Sequence, residues 1–331
     1  MPAAITGATA LVGVLGNPVR HSLSPAMHNA ALADLGLNWV YLALPAPPER
    51  LDQVLDGLEA IGCRGLNVTI PHKQAVVSLA AELSPLARRL GAVNTLVPRA
   101  EGGWFGTNTD VEGFLAPLRS GSFGPWAGKR AVVLGCGGSA LAVVAGLVEL
   151  GLDSIQVAGR QATVLEAFLA TCAGWSEATR LEGLAWGGPP GPGAGFGPGA
   201  GLGLGGAESP LGSTPGQPAS SLAEALDGAD LVVNTTPVGM ASASDPTAAQ
   251  RCPLGALELA ALQPQALVYD LIYTPRPSQL LRQAAARGCP SLDGLEMLVQ
   301  QGAAALRHWS GLTEIPVDAM RQAALAELGR G

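Results

Sequence analysis

Asn67-Val68-Thr69-Ile70-Pro71-His72-Lys73 places a primary amine just beyond two polar side chains, at the end of an apolar run. In open α/β sheets the ligand crevice lies outside the strand ends, so a lysine just inside a helix start there points at a cleft. Asn94-Thr95 and Asn108-Thr109-Asp110 bring further polar groups to the ends of two later runs. An Asp110 carboxylate paired with the Lys73 ammonium would supply general acid–base chemistry. A lone lysine is ordinarily just solvated, so the expectation rests on the pair. Arg20-His21-Ser22-Leu23-Ser24-Pro25 sets two hydroxyls where a helix begins, a place that stabilises a carboxylate. Ser24 would also cap that helix, with Pro25 at its first position.

A second constellation is Gly135-Cys136-Gly137-Gly138-Ser139, which follows the apolar run Arg130 to Leu134. Glycines let a backbone approach a pyrophosphate closely, and a helix N-terminus offers free N–H groups to its oxygens. The spacing departs from GxGxxG, because Ala140 stands three residues after Gly137. Alone it suits a dinucleotide site and a tight structural turn equally. The end of the next strand, Ser154 to Ala158, favours the first. An NAD site carries Asp or Glu there for the ribose hydroxyl; this chain carries Gly159-Arg160. A guanidinium suits a 2′-phosphate through charge-assisted hydrogen bonds, which favours NADP over NAD. A solvated loop arginine is the alternative.

The elements that must position these groups alternate along the chain. Short apolar runs at 12–15, 40–44, 65–68, 92–97, 130–134, 154–158, 231–234 and 267–270 read as strands. Helical patterns fall between them, starting near Ser24, Pro48, Pro71 and Pro85, with two more at about 295–308 and 317–328. Trp104-Phe105 between glycines reads as a hairpin strand. This is an α/β architecture with parallel sheets, and 331 residues suit two domains. Between Gly187 and Pro218, 20 of 32 residues are Gly or Pro, a low-complexity insert that cannot bury enough apolar surface to offset its ordering entropy.

Composition excludes several classes. Hydrophobic residues make up 48% and charged residues 14%, which rules out wholesale disorder. The net charge is −7 with no Lys/Arg cluster, so no nucleic-acid surface is expected. The five cysteines, Cys63, Cys136, Cys172, Cys252 and Cys289, are scattered, and no CxxC or HExxH occurs. No structural zinc or disulfide is therefore expected, and the compartment reads as reducing. Residues 131–148 carry no charge, yet the Gly-Cys-Gly-Gly-Ser turn breaks them into strand, turn and helix rather than a membrane span. Before Arg20 there is no basic residue to open a secretory leader. The expectation is a cytoplasmic protein acting on a small molecule. The sequence sets no oligomeric state, and a homodimer is compatible with it.

Together these segments resemble the shikimate dehydrogenase family. The resemblance rests on Gly16-Asn17-Pro18 with His21 to Asn29, the 67–73 and 91–95 segments, and Gly106-Thr107-Asn108-Thr109-Asp110. It continues through the 135–139 turn, Asn234 to Met240, Asp270-Leu271-Ile272-Tyr273 and Asp293 to Leu298, all in the family's order. It spans about residues 12–325, the insert excepted.

The resemblance implies two α/β domains. A substrate domain at 1–110 would be completed by 295–331, and a Rossmann-like NADP domain would occupy 111–294. It implies NADPH-dependent reduction of 3-dehydroshikimate to shikimate on the route to aromatic amino acids. Lys73 and Asp110 would be the catalytic pair, with Ser22 and Ser24 on the substrate carboxylate. Asn67, Thr69, Asn94, Tyr273 and Gln301 would contact the rest of the substrate. Gly135, Cys136, Gly137, Gly138, Ser139, Arg160, Thr235, Leu271 and Gly294 would line the cofactor, and no metal is implied. The family often has Asn-Arg-Thr, frequently with a further Arg, where this chain has Gly159-Arg160-Gln161 and Val164. That departure weakens the NADP preference. It keeps an NAD-linked quinate paralogue as an alternative, beside a non-catalytic binding protein on the same fold.

Overall fold

A computed structural model describes residues 5–120, 123–187, 221–241, 245 and 247–329. It contains two six-stranded sheets. The first is built from β1 (Ala10–Gly16), β2 (Trp39–Pro45), β3 (Gly65–Val68), β4 (Glu82–Leu83), β5 (Thr95–Pro98) and β6 (Trp104–Thr107). Its order is β2-β1-β3-β5-β6-β4. β1 runs parallel to β2 and β3, while β5 is antiparallel to both β3 and β6. The sheet is therefore mixed rather than parallel. The reason is local: Gly102 and Gly103 take φ of 92° and 73°, values that let the chain fold straight back from β5 into β6.

The second sheet comprises β7 (Arg130–Leu134), β8 (Ser154–Gly159), β9 (Arg180–Ala185), β10 (Leu231–Asn234), β11 (Leu267–Asp270) and β12 (Ser291–Leu292). All its pairs are parallel, in the order β12-β11-β10-β7-β8-β9. Counted within the sheet this is 6-5-4-1-2-3, the doubly wound order whose ligand crevice opens between the first and fourth strands. Here those are β7 and β10.

The helices are α1 (Ser24–Asp34), α2 (Leu51–Ala60), α3 (Pro85–Leu90), α4 (Asp110–Arg119), α5 (Gly138–Glu149), α6 (Ala162–Cys172), α7 (Leu222–Asp227), α8 (Ala256–Ala261), α9 (Gln279–Ala286), α10 (Leu295–Ser310) and α11 (Val317–Leu328). Four are anchored by recognisable chemistry. Ser84 caps α3, Ser221 and Glu224 form a capping box on α7, and Ser278 caps α9. Gly311, at φ 72°, terminates α10 in the left-handed region.

α4 and α10 tie the two sheets together. Phe114 of α4 stacks on Tyr269 of β11, ring centroids 5.3 Å apart. On its other side α4 meets α10 so closely that a Cβ at Gly113 would lie 2.7 Å from the Met297 carbonyl oxygen. α10 then runs to the first sheet, where Val299, Ala303, Leu306 and Trp309 share a core with Val12, Met27, Leu32 and Tyr41. Gly65 leaves the space that Trp309 fills, since a Cβ there would sit 2.2 Å from the indole.

Three local expectations differ from the structure. Pro71 starts no α-helix: residues 71–74 turn, and a single 3₁₀ turn follows at Ala75–Ser78. The Lys73 carbonyl accepts the Val93 N–H at 2.8 Å, so a distant segment holds this backbone instead of a helical ladder. The run at 92–97 becomes strand only from Thr95. Ser24 is not a cap; it lies inside the first turn of α1, after Leu23, and the Ser22 hydroxyl accepts its N–H at 3.2 Å. The insert expected at 187–218 lies, Gly187 excepted, outside the described residues.

Candidate active site

Lys73 Nζ donates to Asp110 Oδ2 at 2.6 Å. The lysine side chain is 23% exposed and the aspartate 10%, so the pair is reachable from solvent mainly on the lysine side. Lys73 sits in the turn after β3. Asp110 opens α4, where a carboxylate is stabilised by the helix N-terminus. Its own N–H donates to Asn108 Oδ1 at 2.9 Å, which fixes the entry into the helix.

Asn94 holds the other side of the carboxylate, its Nδ2 donating to Asp110 Oδ1 at 2.8 Å. Asn94 Oδ1 in turn accepts the Thr109 N–H at 2.8 Å and the Thr95 hydroxyl at 2.9 Å. Asn67 continues the network: Nδ2 reaches Thr95 Oγ1 and the Asn94 carbonyl, both at 3.3 Å, and Oδ1 accepts the Tyr41 hydroxyl at 2.8 Å. Asn67, Asn94, Thr95, Thr109 and Asp110 are all buried. Such a satisfied network fixes each amide's orientation. Behind it Tyr41 stacks on His28, ring centroids 4.1 Å apart, and burial pushes the His28 imidazole down to about 4.

The remaining expected substrate residues surround this cluster to different degrees. The Thr69 N–H bonds Leu15 at the end of β1, and a Cβ at Gly16 would meet the Thr69 methyl at 2.5 Å. Gln301 lies on α10 against Gly113, one turn along α4 from Asp110, with Nε2 donating to the Leu298 carbonyl at 2.8 Å. Tyr273 is half-buried beside the core of the first sheet, and burial pushes its phenol up. Ser22 and Ser24 sit at the start of α1, joined to each other by the Ser22–Ser24 hydrogen bond. No described contact joins Ser22 or Gln301 to the Lys73–Asp110 pair.

At the second sheet the expected cofactor residues gather at the β7/β10 crevice. Gly135 has φ 102°, and a Cβ there would lie 2.8 Å from Thr235 Oγ1, so the turns after β7 and β10 touch. Gly137 and Gly138, by contrast, would carry a Cβ into open space. α5 starts there with no side-chain cap, leaving its first N–H groups available. Burial pushes the Cys136 thiol up and the Arg160 charge opposes it, while a Cβ at Gly159 would lie 3.2 Å from Cys136 Sγ. Arg160 itself is exposed and pairs with no described side chain. An uncapped helix start with room beside its glycines and an unpaired guanidinium nearby fits a phosphorylated dinucleotide.

Leu271 and Gly294 complete the crevice. A Cβ at Gly294 would lie 1.9 Å from the Leu271 carbonyl oxygen, so only glycine permits this approach. Among the described residues no group of His, Cys, Asp and Glu could hold a metal ion, and no helix is long and apolar enough to cross a membrane. Two contributors escape the motif reading, Tyr41 and the helix α4 itself, while Thr95 and Thr109 were read only as polar groups at strand ends. Val111, Phe114, Leu115 and Leu118 carried a helical spacing that would have revealed α4.

A doubly wound sheet with an open glycine turn at its switch point, joined to a second α/β unit bearing a part-buried Lys–Asp pair, defines a two-domain dinucleotide-binding class of protein. Comparison with known proteins narrows the class. The family model described as the shikimate dehydrogenase substrate binding domain matches residues 14–96, and that of the shikimate 5′-dehydrogenase C-terminal domain matches 294–325. The chain is 45% identical over 325 residues to the shikimate dehydrogenase (NADP(+)) of Trichormus variabilis, covering 98% of this chain and 99% of that protein. A shikimate dehydrogenase solved in complex with NADP+ superposes with a TM-score of 0.79 at 31% identity, over 99% of each chain. The Thermus thermophilus shikimate 5-dehydrogenase, solved with NADP(H) and shikimate, gives 0.74 at 33% identity, over 96% of this chain and 100% of that one. The chain belongs to the shikimate dehydrogenase family.

Proposed function

We propose that this chain is an NADP-linked shikimate dehydrogenase, interconverting 3-dehydroshikimate and shikimate in the supply of aromatic amino acids. The observation that carries the reading is the 2.6 Å Lys73–Asp110 pair, held from behind by Asn94. NADPH, when bound, supplies the hydride. Lys73 stabilises the oxygen that gains negative charge at the ketone and hands it a proton. Asp110 orients the ammonium, and Asn94 keeps Asp110 pointing at it.

In this reading residues 1–110 and 295–331 hold the substrate. Ser22 and Ser24 bind its carboxylate, and Asn67, Thr69, Asn94, Tyr273 and Gln301 meet the carboxylate and ring oxygens. Residues 111–294 hold NADP. The 135–139 turn and the α5 N-terminus take the pyrophosphate, Arg160 the 2′-phosphate, and Thr235, Leu271 and Gly294 line the remainder. The cleft lies between Lys73 and the glycine turn.

The direct test incubates the protein with 3-dehydroshikimate and NADPH and separates the products by chromatography. Shikimate formed in step with NADPH consumption is the expected result. Consumption of neither compound would refute the assignment.

A further inference from the structure

Asp270 belongs to a motif whose neighbours, Leu271 and Tyr273, have roles in the proposed site, while its own side chain has none. It ends β11 and is fully buried, at 0% exposure. No cation pairs with it among the described residues. Instead three donors converge on its carboxylate. Asn234 Nδ2 and the Ile272 N–H donate to Oδ1 at 2.9 and 3.2 Å, and the Ser278 hydroxyl donates to Oδ2 at 2.5 Å.

Each donor belongs to a different segment around the crevice. Asn234 ends β10 directly opposite Asp270 in the parallel register. Its Oδ1 accepts the Thr236 N–H at 3.0 Å and the Thr236 hydroxyl at 2.7 Å, which fixes the turn that presents Thr235. The Ile272 N–H belongs to the turn that presents Leu271, and the Ile272 carbonyl accepts the Gly294 N–H at 3.1 Å. Ser278 caps α9. One buried carboxylate therefore reaches the turns carrying Thr235, Leu271 and Gly294.

A buried carboxylate without a counter-cation is an expensive way to fill space. Burial pushes it up to about 6, with the Asp293 carboxylate adding to the effect. A neutral amide of the same shape would cost the fold less. What the anion provides instead is three charge-assisted acceptances at once, stronger than neutral ones. An amide must present an N–H toward Ser278, whose hydroxyl is already turned to donate.

We propose that Asp270 is a positioning residue for the cofactor: its carboxylate locks the turns after β10 and β11 into the shape that receives the dinucleotide. The inference rests on the NADP reading given above.

The test compares wild type with Asp270→Asn at pH 7.5. Three readouts are taken: steady-state constants, NADP+ affinity by calorimetry, and hydrogen–deuterium exchange of the cofactor-free protein. The variant is expected to bind NADP+ about tenfold more weakly and to raise KM for NADP+ alike. KM for shikimate and kcat should stay within twofold. Amides at 235–238 and 271–273 should exchange faster, with a melting temperature no lower than wild type. Ser278→Ala, which removes one donor and leaves the charge, should move the same readouts in the same direction by less. Unchanged exchange in both turns, or equal rises in KM for both substrates, would overturn the proposal. Failure of the wild type to bind NADP+ would instead overturn the NADP reading, which the exchange of the cofactor-free protein does not depend on.

Discussion

The two halves of the candidate site are built on opposite principles. Around Lys73 and Asp110 nearly every polar atom already has a partner within the protein: Asn94 to Asp110, Thr95 and Thr109 to Asn94, Tyr41 to Asn67. Around the glycine turn the donors are left over. The α5 start has no side-chain cap, Gly137 and Gly138 face open space, and Arg160 pairs with no described side chain. The first half is organised before any ligand arrives, as a group that must stabilise a transient charge has to be. In the proposed reading the second half is a mould for a ligand that brings its own charges.

The contrast breaks most visibly at the pair. Lys73→Ala and Asp110→Asn should each lower kcat by about 10²–10⁴-fold, the range for a lost acid–base group. The double variant should lose less than the product of the two, because the groups act as a unit. Steady-state kinetics checks both statements, and near-full turnover in Lys73→Ala would return that lysine to the solvent.

In the mould the effects are smaller and fall on binding. Arg160 is the one charge at its turn, since Gly159, Gln161 and Val164 bring none. A hydrogen bond to a charged group is worth about 1.5–3 kcal/mol, so Arg160→Ala should raise KM for NADP roughly 10- to 150-fold and leave NAD kinetics nearly unchanged. A comparable loss with NAD would show that the residue serves the fold.

Glycines sharpen the same distinction through stability. Gly294→Ala forces a methyl into the Leu271 carbonyl and should cost about 1–3 kcal/mol in denaturant unfolding, as overpacking does. Gly137→Ala meets nothing at a φ of −94°. It should leave stability within about 0.5 kcal/mol, as surface substitutions do, and weaken cofactor binding instead. In the proposed reading one glycine is kept by the protein, the other for the ligand.

The last effect is a slope in pH rather than a single step, and it belongs to Asp270. Its pKa lies near 6 in the folded chain and close to the ordinary aspartate value when unfolded. Between about pH 4 and 6 the folded state therefore holds a proton that the unfolded state has released. Stability from this group is full below that window and falls by roughly 1.4 kcal/mol per pH unit across it. Glu296 and Asp230, whose partners lower them, contribute the opposite slope at more acid pH. The check is the difference between Asp270→Asn and wild type in urea unfolding from pH 4 to 7: the variant should gain relative to wild type as pH rises.

Much of both halves was legible in the sequence because the groups come in short local runs. Lys73, Asp110, the 135–139 turn and Arg160 can be picked out by type and neighbours, and the strand that carries each is apolar and bounded. What sequence could not give is whatever depends on pairing between distant segments. The Val93–Lys73 backbone bond turns an expected helix start into a turn. The Asn234–Asp270 register creates a buried carboxylate site from two residues 36 positions apart. One local detail was missed as well: α1 begins at Ser24, after Leu23, and the Ser22 hydroxyl accepts the Ser24 N–H. The apolar spacing of α4 was there to read despite Pro117 in its last turn; only the structure shows that this helix carries Asp110 and links the two sheets.

The most direct measurement is absorbance at 340 nm with shikimate or quinate as substrate and NADP+ or NAD+ as acceptor, for wild type and Arg160→Ala. An organised Lys–Asp pair served by a phosphate-reading mould predicts turnover of shikimate with NADP+, and a preference over NAD+ of roughly 10- to 150-fold that Arg160→Ala abolishes. Equal rates with NAD+ and NADP+, or faster oxidation of quinate with NAD+, would contradict it.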